Sequence, residues 1–265
     1  MKLSIAQTDI VWEDKKSNFA DAEEYIANAG KKGSDIIVFP EMSMTGFSMD
    51  VKTIGEEDES TLNKFKSLSV KENIFIGFGW VEYDGKKGRN NFSITSPEGD
   101  EIFRYCKIHP FSFGKEDEFF YKGNEIKFVK IKDMTLSGFI CYDLRFPEIF
   151  QSASEKSDII ILIANWPEAR IEHWDVLLQA RAIENQSYII GVNRVGYGNG
   201  IKYNGHSVIY NPLGESILIT EEREGLYSTE LDCRMVEKVR NNFRVKNDRR
   251  KEIYNRFYGK DNYGL

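Results

Sequence analysis

Three residues of complementary chemistry each follow an apolar, strand-like run. Cys141 ends the run 134–140, Glu41 follows the run and proline of DIIVFP, and Lys107 follows EIFRYC. A thiol attacks a carbon centre as its thiolate. With an ordinary pKa of about 8.5 it needs a base and a cation near it to do so. A carboxylate and an ammonium supply those two needs. Each residue alone has a plainer meaning: a cysteine after a strand is most often a small buried hydrophobe. A glutamate after proline often starts a helix, and a lysine is usually solvated. The coincidence of all three at strand ends is what points to nucleophilic catalysis.

The segment GFICYDLRFPE (138–148) must position the thiol. Its apolar half is β-prone, a polar pair follows Cys141, and Pro147 suits the first turn of a helix. Strand, sharp turn and helix is the arrangement of a nucleophile elbow, which lifts the side chain at the turn out of the sheet. DIIVFPEMSMTGF (35–47) and EIFRYCKIHPF (101–111) carry the carboxylate and the ammonium in the same manner.

With these segments, and with ANWPEARIEHW (164–174), LLQARAIENQSYIIGVNRVG (177–196) and YNGHSVIYNPLGE (203–215), the chain resembles the nitrilase superfamily of carbon–nitrogen hydrolases over about residues 1–240. NWPEAR, RAIENQ and NRVG resemble its omega-amidase branch most. The resemblance implies an α/β fold, a four-layer α–β–β–α sandwich with two facing sheets and helices outside. It implies a Glu–Lys–Cys triad: Cys141 as nucleophile, Glu41 as general base, and Lys107 holding positive charge near the oxyanion and favouring the thiolate. The backbone N–H of Tyr142 at the turn is the natural second oxyanion donor. Glu116, seven residues before Gly123, resembles in spacing an additional acidic residue that helps position the lysine and substrate; Glu118 is its rival. The implied activity is hydrolysis of the terminal amide of a small keto-acid amide, 2-oxoglutaramate or 2-oxosuccinamate, to the dicarboxylic acid and ammonia through a thioester.

Such a substrate carries a carboxylate remote from its amide, and an arginine's planar fork matches a carboxylate. Arg170 in NWPEAR is the first choice for that clamp. Arg145 is expected to be structural, paired with Glu148 or Asp143, and Arg194 also lies near a strand end. Trp166 and Phe146 are candidate pocket walls. His109, His173 and His206 have no paired ligand spacing and are expected to be structural.

The rest of the chain constrains partners and organisation. A net charge of −6, from 36 basic and 42 acidic residues, disfavours nucleic acid and membrane surfaces as partners. No run of about 18 apolar residues occurs, so no membrane helix is expected. Three cysteines argue against a disulfide framework and, with no legible secretion signal, for a cytoplasmic location. Cys106 and Cys233 lack partners at metal-ligand spacing, so neither a metal nor another cofactor is expected. The path reads as strand 2–9, helix 15–31, strand 35–39, helix 60–72, and strands 74–82, 91–96 and 101–107, with 83–91 as a hairpin turn. Strands 126–131 and 134–140, helix 147–155, strand 158–163, helix 172–186 and strand 188–194 follow. Strands 205–210, 216–220 and 225–230 precede a helix near Cys233. One domain over 1–240 is expected. A tail, 241–265, bears Phe243, Ile253, Tyr254, Phe257 and Tyr258, which suit a homodimer interface.

Two other classes compete. A related enzyme acting on N-carbamoyl compounds or nitriles would share the triad and differ in its pocket. A catalytically silent scaffold would leave Cys141 unreactive toward thiol reagents.

Overall fold

The computed structural model of the chain describes residues 1–258. The first half contains β1 (Lys2–Gln7), α1 (Lys15–Lys31), β2 (Ile36–Val38), α2 (Val51–Ile54), α3 (Ser60–Glu72), β3 (Phe75–Tyr83), β4 (Gly88–Thr95), β5 (Glu101–Cys106) and α4 (Glu116–Phe119). The second half contains β6 (Val129–Ile131), β7 (Met134–Ile140), α5 (Pro147–Ala153), β8 (Ile159–Ala164), α6 (Ile171–Asn185) and β9 (Tyr188–Asn193). It continues with β10 (Val195–Gly198), β11 (Ile201–Asn204), β12 (Val208–Tyr210), β13 (Ser216–Ile219), β14 (Gly225–Glu230), α7 (Met235–Asn242) and α8 (Lys251–Tyr258).

Two six-stranded sheets form, in the orders β14-β1-β2-β3-β4-β5 and β13-β12-β9-β8-β7-β6. In the first, β1, β2 and β3 run parallel; in the second, β7, β8 and β9 do. Strands covered on both faces read as unbroken apolar runs, and all six residues of Ile159–Ala164 are buried. In β2 the pleat divides the run. Ile36 and Val38 join a core that also holds Phe139 and Ile161 of the second sheet, so this core lies between the sheets. Ile37 and Phe39 join a second core with Ala22, Ile26 and Phe65, the apolar stripes of α1 and α3. The stripe of α1 follows helical spacing, and the helix starts where Asp14 accepts from the Ser17 N–H at 3.1 Å. On the far side, Trp174, Leu178 and Ala182 of α6 pack on the second sheet. The four layers expected from the resemblance are present. No helix among the described residues is long and apolar enough to cross a membrane.

Some elements depart from the sequence expectation. Cys141 does not lead directly into α5; one 3-10 turn, Cys141–Arg145, intervenes. The strand expected from 205 starts at Val208, because Gly205 (φ 76°) and His206 (φ 57°) form a left-handed turn. The hairpin β10–β11 lies in a stretch to which the sequence reading assigned no element. Its tip is Asn199–Gly200, both at positive φ, the turn that suits the strand twist. The tail after α7 also contacts the rest of the chain: Lys246 Nζ donates to the Ser154 carbonyl, and Arg249 donates to the Glu184 carbonyl and Asn185 Oδ1, both at 3.0 Å. Phe243 and Tyr254 remain exposed. The side chains of Phe257 and Tyr258, and residues 259–265, lie outside the described residues.

Candidate active site

Four strand ends converge. Pro40, which has no N–H to give a ladder, closes β2 and begins a tight turn. In it the Thr45 N–H donates to the Met42 carbonyl at 3.0 Å and Ser43 Oγ to the Pro40 carbonyl at 2.5 Å. The turn carries Glu41 and is tied to β3, where the Ser43 N–H donates to the Gly79 carbonyl at 3.0 Å. Lys107 follows β5. Its N–H donates to the Asn90 carbonyl at 2.9 Å and its carbonyl accepts from Gly123 N–H at 2.8 Å.

Cys141 follows β7 with φ 47°, a left-handed conformation rare for a residue with a Cβ. The bend is held by buried Asp143, which accepts from the Ile140 N–H (3.0 Å), the Tyr105 hydroxyl (2.7 Å) and the His109 N–H (3.0 Å). Asp143 thereby ties the Cys141 turn to the chain around Lys107. Asn165 follows β8.

Glu41, Lys107 and Glu116 are all 0% exposed. Lys107 Nζ donates to Glu41 Oε1 and Glu116 Oε2, each at 2.9 Å. Asn90 Nδ2 also donates to both carboxylates, and the Asn165 N–H donates to Glu41 Oε2 at 2.9 Å. The Phe111 N–H donates to Glu116 Oε2. Glu118, the rival, is exposed.

Burial alone would lower the Lys107 pKa, but Glu116 and Glu41 outweigh it and hold the ammonium above its ordinary range. Burial pushes the Glu116 carboxyl up, against the pull of Lys107. Burial first, and then the Glu41 charge, pushes the Cys141 thiol well above its ordinary 9.0, with Lys107 acting in the opposite sense. Lys107 thus favours the thiolate, as expected, but is outweighed. Two carboxylates and a dry site outweigh one ammonium, so the resting group is a thiol whose proton must leave as attack occurs.

A cavity opens over Cys141. It is lined by Tyr142, Asn165, Trp166, Arg145, Arg170 and Tyr203, with Phe47, Phe111, Pro167 and Ile201 completing the wall. Cys141 lines this cavity; Glu41, Lys107 and Glu116 lie behind it. Trp166 props both arginines. The Arg145 guanidinium lies 4.9 Å over its ring, and its indole N–H donates to the Arg170 carbonyl at 2.8 Å.

Two sequence expectations need correction here. Arg145 lines the cavity, and of its two expected partners, Glu148 and Asp143, the second is taken up by Tyr105, His109 and the Ile140 N–H. Phe146 is not among the lining residues. Its ring stacks on His109 at 3.7 Å and meets Tyr142 edge-on, so it supports the wall from behind. Arg194 is not a lining residue; it is buried against the Ile10 carbonyl (2.9 Å) and backs the ring of Tyr203, which does line the cavity.

Sequence reasoning missed Asn90, Asn165, Phe47, Phe111, Ile201 and Tyr203. Asn90 lay in a stretch read as turn, and Ile201 and Tyr203 in one to which no element was assigned. The Asn199–Gly200 pair, a strong hairpin signal, was legible and would have placed the last two on a strand. Among the described residues no cluster of His, Cys, Asp or Glu suits a metal ion.

A carbon-nitrogen hydrolase family model matches residues 2–241. An omega-amidase (YafV) of Yersinia enterocolitica is 35% identical over 89% of this chain and 90% of its own. A 2-oxoglutaramate amidase of Bacillus subtilis is 31% identical over 95% of this chain and 98% of its own. Among solved structures, a CN-hydrolase superfamily protein of Xanthomonas campestris, which holds an arsenic adduct in its active site, superposes with a TM-score of 0.86 at 27% identity. That match covers 94% of this chain and 97% of that one.

Proposed function

Since the chain belongs to the carbon-nitrogen hydrolase family and is a hydrolase of amide C–N bonds, we propose that it is an omega-amidase. Its substrate is the terminal amide of 2-oxoglutaramate or 2-oxosuccinamate, and its products are the dicarboxylic acid and ammonia. The observation that carries this reading is the pairing, in one cavity, of Cys141 with two guanidinium groups, Arg145 and Arg170. A small amide that bears a carboxylate at its far end has a charge for those arginines to hold while its amide carbon meets the thiol. Apart from Asn165, the rest of the wall is aromatic and apolar, which suits a short carbon chain.

The steps follow from the charges. Glu41 takes the Sγ proton as sulfur bonds to the amide carbon, and the carbonyl electron pair moves onto oxygen. Lys107 and the backbone N–H of Tyr142 hold that oxyanion; one such donor is typically worth roughly a hundred- to a thousand-fold in rate. The tetrahedral adduct collapses, the C–N bond breaks, and Glu41 returns its proton to the departing nitrogen as ammonia. A thioester remains on Cys141. Water, giving its proton to Glu41, adds to that thioester; collapse releases the acid, and the thiol is restored by the same proton.

The test is ammonia release from 2-oxoglutaramate by the purified protein, with Cys141→Ala beside it. Release by the parent at least about a thousand-fold above the variant is expected. A parent that releases ammonia from other amides or N-carbamoyl compounds but not from the keto amides would remove the substrate assignment.

A further inference from the structure

Asn90 lies in β4 between the two buried carboxylates. Its side-chain nitrogen donates to Glu41 Oε1 at 2.7 Å and to Glu116 Oε1 at 3.0 Å. Lys107 Nζ reaches the same two groups, and the Lys107 N–H donates to the Asn90 carbonyl at 2.9 Å. Asn90 therefore touches all three charged residues. Its Oδ1 is buried and has no partner among the described residues. A buried, unpartnered amide oxygen costs stability, so packing alone is a poor reason for an asparagine at this place.

Two carboxylates held on shared donors in a dry site tend to bind one proton between them, because like charges side by side resist double ionisation. A protonated Glu41 has no capacity to take the thiol proton. One ammonium neutralises one of the two charges, and the second must be met by neutral donors. Asn90 offers two N–H groups and has no acidic proton of its own.

We infer that Asn90 is a positioning residue that keeps Glu41 and Glu116 ionised together and in register, so that the base is charged when the thiol must lose its proton. The inference rests on Glu41 being the base. Opposing influences on Glu116 fit it: burial and Glu41 push its carboxyl up, while Lys107, the Phe111 N–H and Asn90 pull it down. The other titratable groups around the pair are Cys141, Tyr203 and Cys106. Burial holds Tyr203 at about 12 and Cys106 at about 11, so both stay neutral through the acid and neutral range.

The test is the rate of Cys141 alkylation by iodoacetamide against pH, followed by peptide mapping so that Cys106 and Cys233 are scored separately. It needs no knowledge of the natural substrate. Parent, Asn90→Ser and Asn90→Asp are compared, with circular dichroism and melting curves confirming that each is folded. The acid limb of the profile is expected to move up by about one pH unit in Asn90→Ser, which replaces both amide N–H donors by one hydroxyl on a shorter side chain, and further in Asn90→Asp, which adds a third carboxylate. At a fixed pH on that limb, the one-unit shift reads as about a tenfold slower reaction. The same limb in parent and Asn90→Ser, or a uniform drop at every pH, would overturn the inference. A parent profile without an acid limb would remove the base role of Glu41 and the inference with it. Failure to hydrolyse keto amides with the limb intact would count against the substrate assignment alone.

Discussion

At the scale of residues, the site is an arrangement of charge closed off from the protein surface. Glu41, Lys107 and Glu116 have no exposed surface, and the ammonium bridges the carboxylates at 2.9 Å on each side. Removing one member of such a group is costly because its partners stay buried and uncompensated. Lys107→Met is expected to lower unfolding stability by about 3–5 kcal/mol at pH 7.5 and to abolish ammonia release. The sign of its pH dependence follows from the carboxylates. Burial already pushes the Glu116 carboxyl above its ordinary 4.5, and without the ammonium that opposes this it rises further. The unfolded chain then holds fewer protons than the folded one, and the deficit grows as pH climbs above that value. Urea unfolding at pH 5 and pH 7.5 checks this; a deficit equal at both, or larger at pH 5, would refute it. In the parent, the Lys107 contribution is intact below its ordinary 10.5 and fades only as pH passes above it, since its pKa is raised by Glu116 and Glu41.

At the scale of elements, strand ends and the turns that follow them place every group. Most elements were legible in the sequence, because amphipathic spacing marks α1 and α3 and unbroken apolar runs mark β7 and β8. Short pieces without periodicity, such as α2, α4 and the 3-10 turn after Cys141, left no such mark. The turn bearing Glu41 is pinned by a close approach that the sequence does not disclose. A Cβ on Gly79 would lie 2.4 Å from the Met42 nitrogen and 2.7 Å from Glu41 Cα. These are backbone atoms, so the turn itself would have to move. Gly79→Ala is therefore expected to destabilise the protein by about 1–3 kcal/mol and to cut kcat by at least about tenfold, since small misplacements of catalytic groups are costly. Steady-state kinetics with a melting curve checks it, and a variant with parental kcat would show that the Glu41 turn is not held by Gly79.

At the scale of the molecule, α7 and the tail after it bind the far ends of the helices that follow the site. Lys246 donates to the Ser154 carbonyl beyond α5, Arg249 to carbonyls of Gln151 and Glu184, and Arg240 to those of Ser157 and Gln186. Three cations thus meet the carbonyl-rich ends of α5 and α6, where positive charge is favoured. Their crowding has a titration consequence. Burial, with Arg240 and Arg249, brings the Lys246 amine down from 10.5 to about 7. For a lysine depressed in the docked state, docking releases a proton between pH 7 and 10.5. The docked tail therefore gains stability as pH rises through that window and is weakest below pH 7. Amide exchange of residues 245–249, corrected for intrinsic rates, is expected to show protection rising from pH 6 to pH 9 in the parent and flat in Lys246→Met. Equal slopes in the two proteins would refute it.

The sequence by itself determined the alternation of elements and the three residues that end apolar runs as thiol, carboxylate and ammonium, because strand periodicity and side-chain chemistry are local properties. Tertiary structure decided what those residues meet. Asn90, Asn165 and Asp143 reach Glu41, Glu116 and the Cys141 turn across separations of 26 to 124 positions in the chain for the two asparagines, and 38 for Asp143 to Tyr105. It also decided that Arg145 joins the cavity wall while Phe146 stands behind it, and that the cysteine rests as a thiol. Burial and the summed field of two carboxylates set that last property, and neither exists until the two sheets have closed on one another.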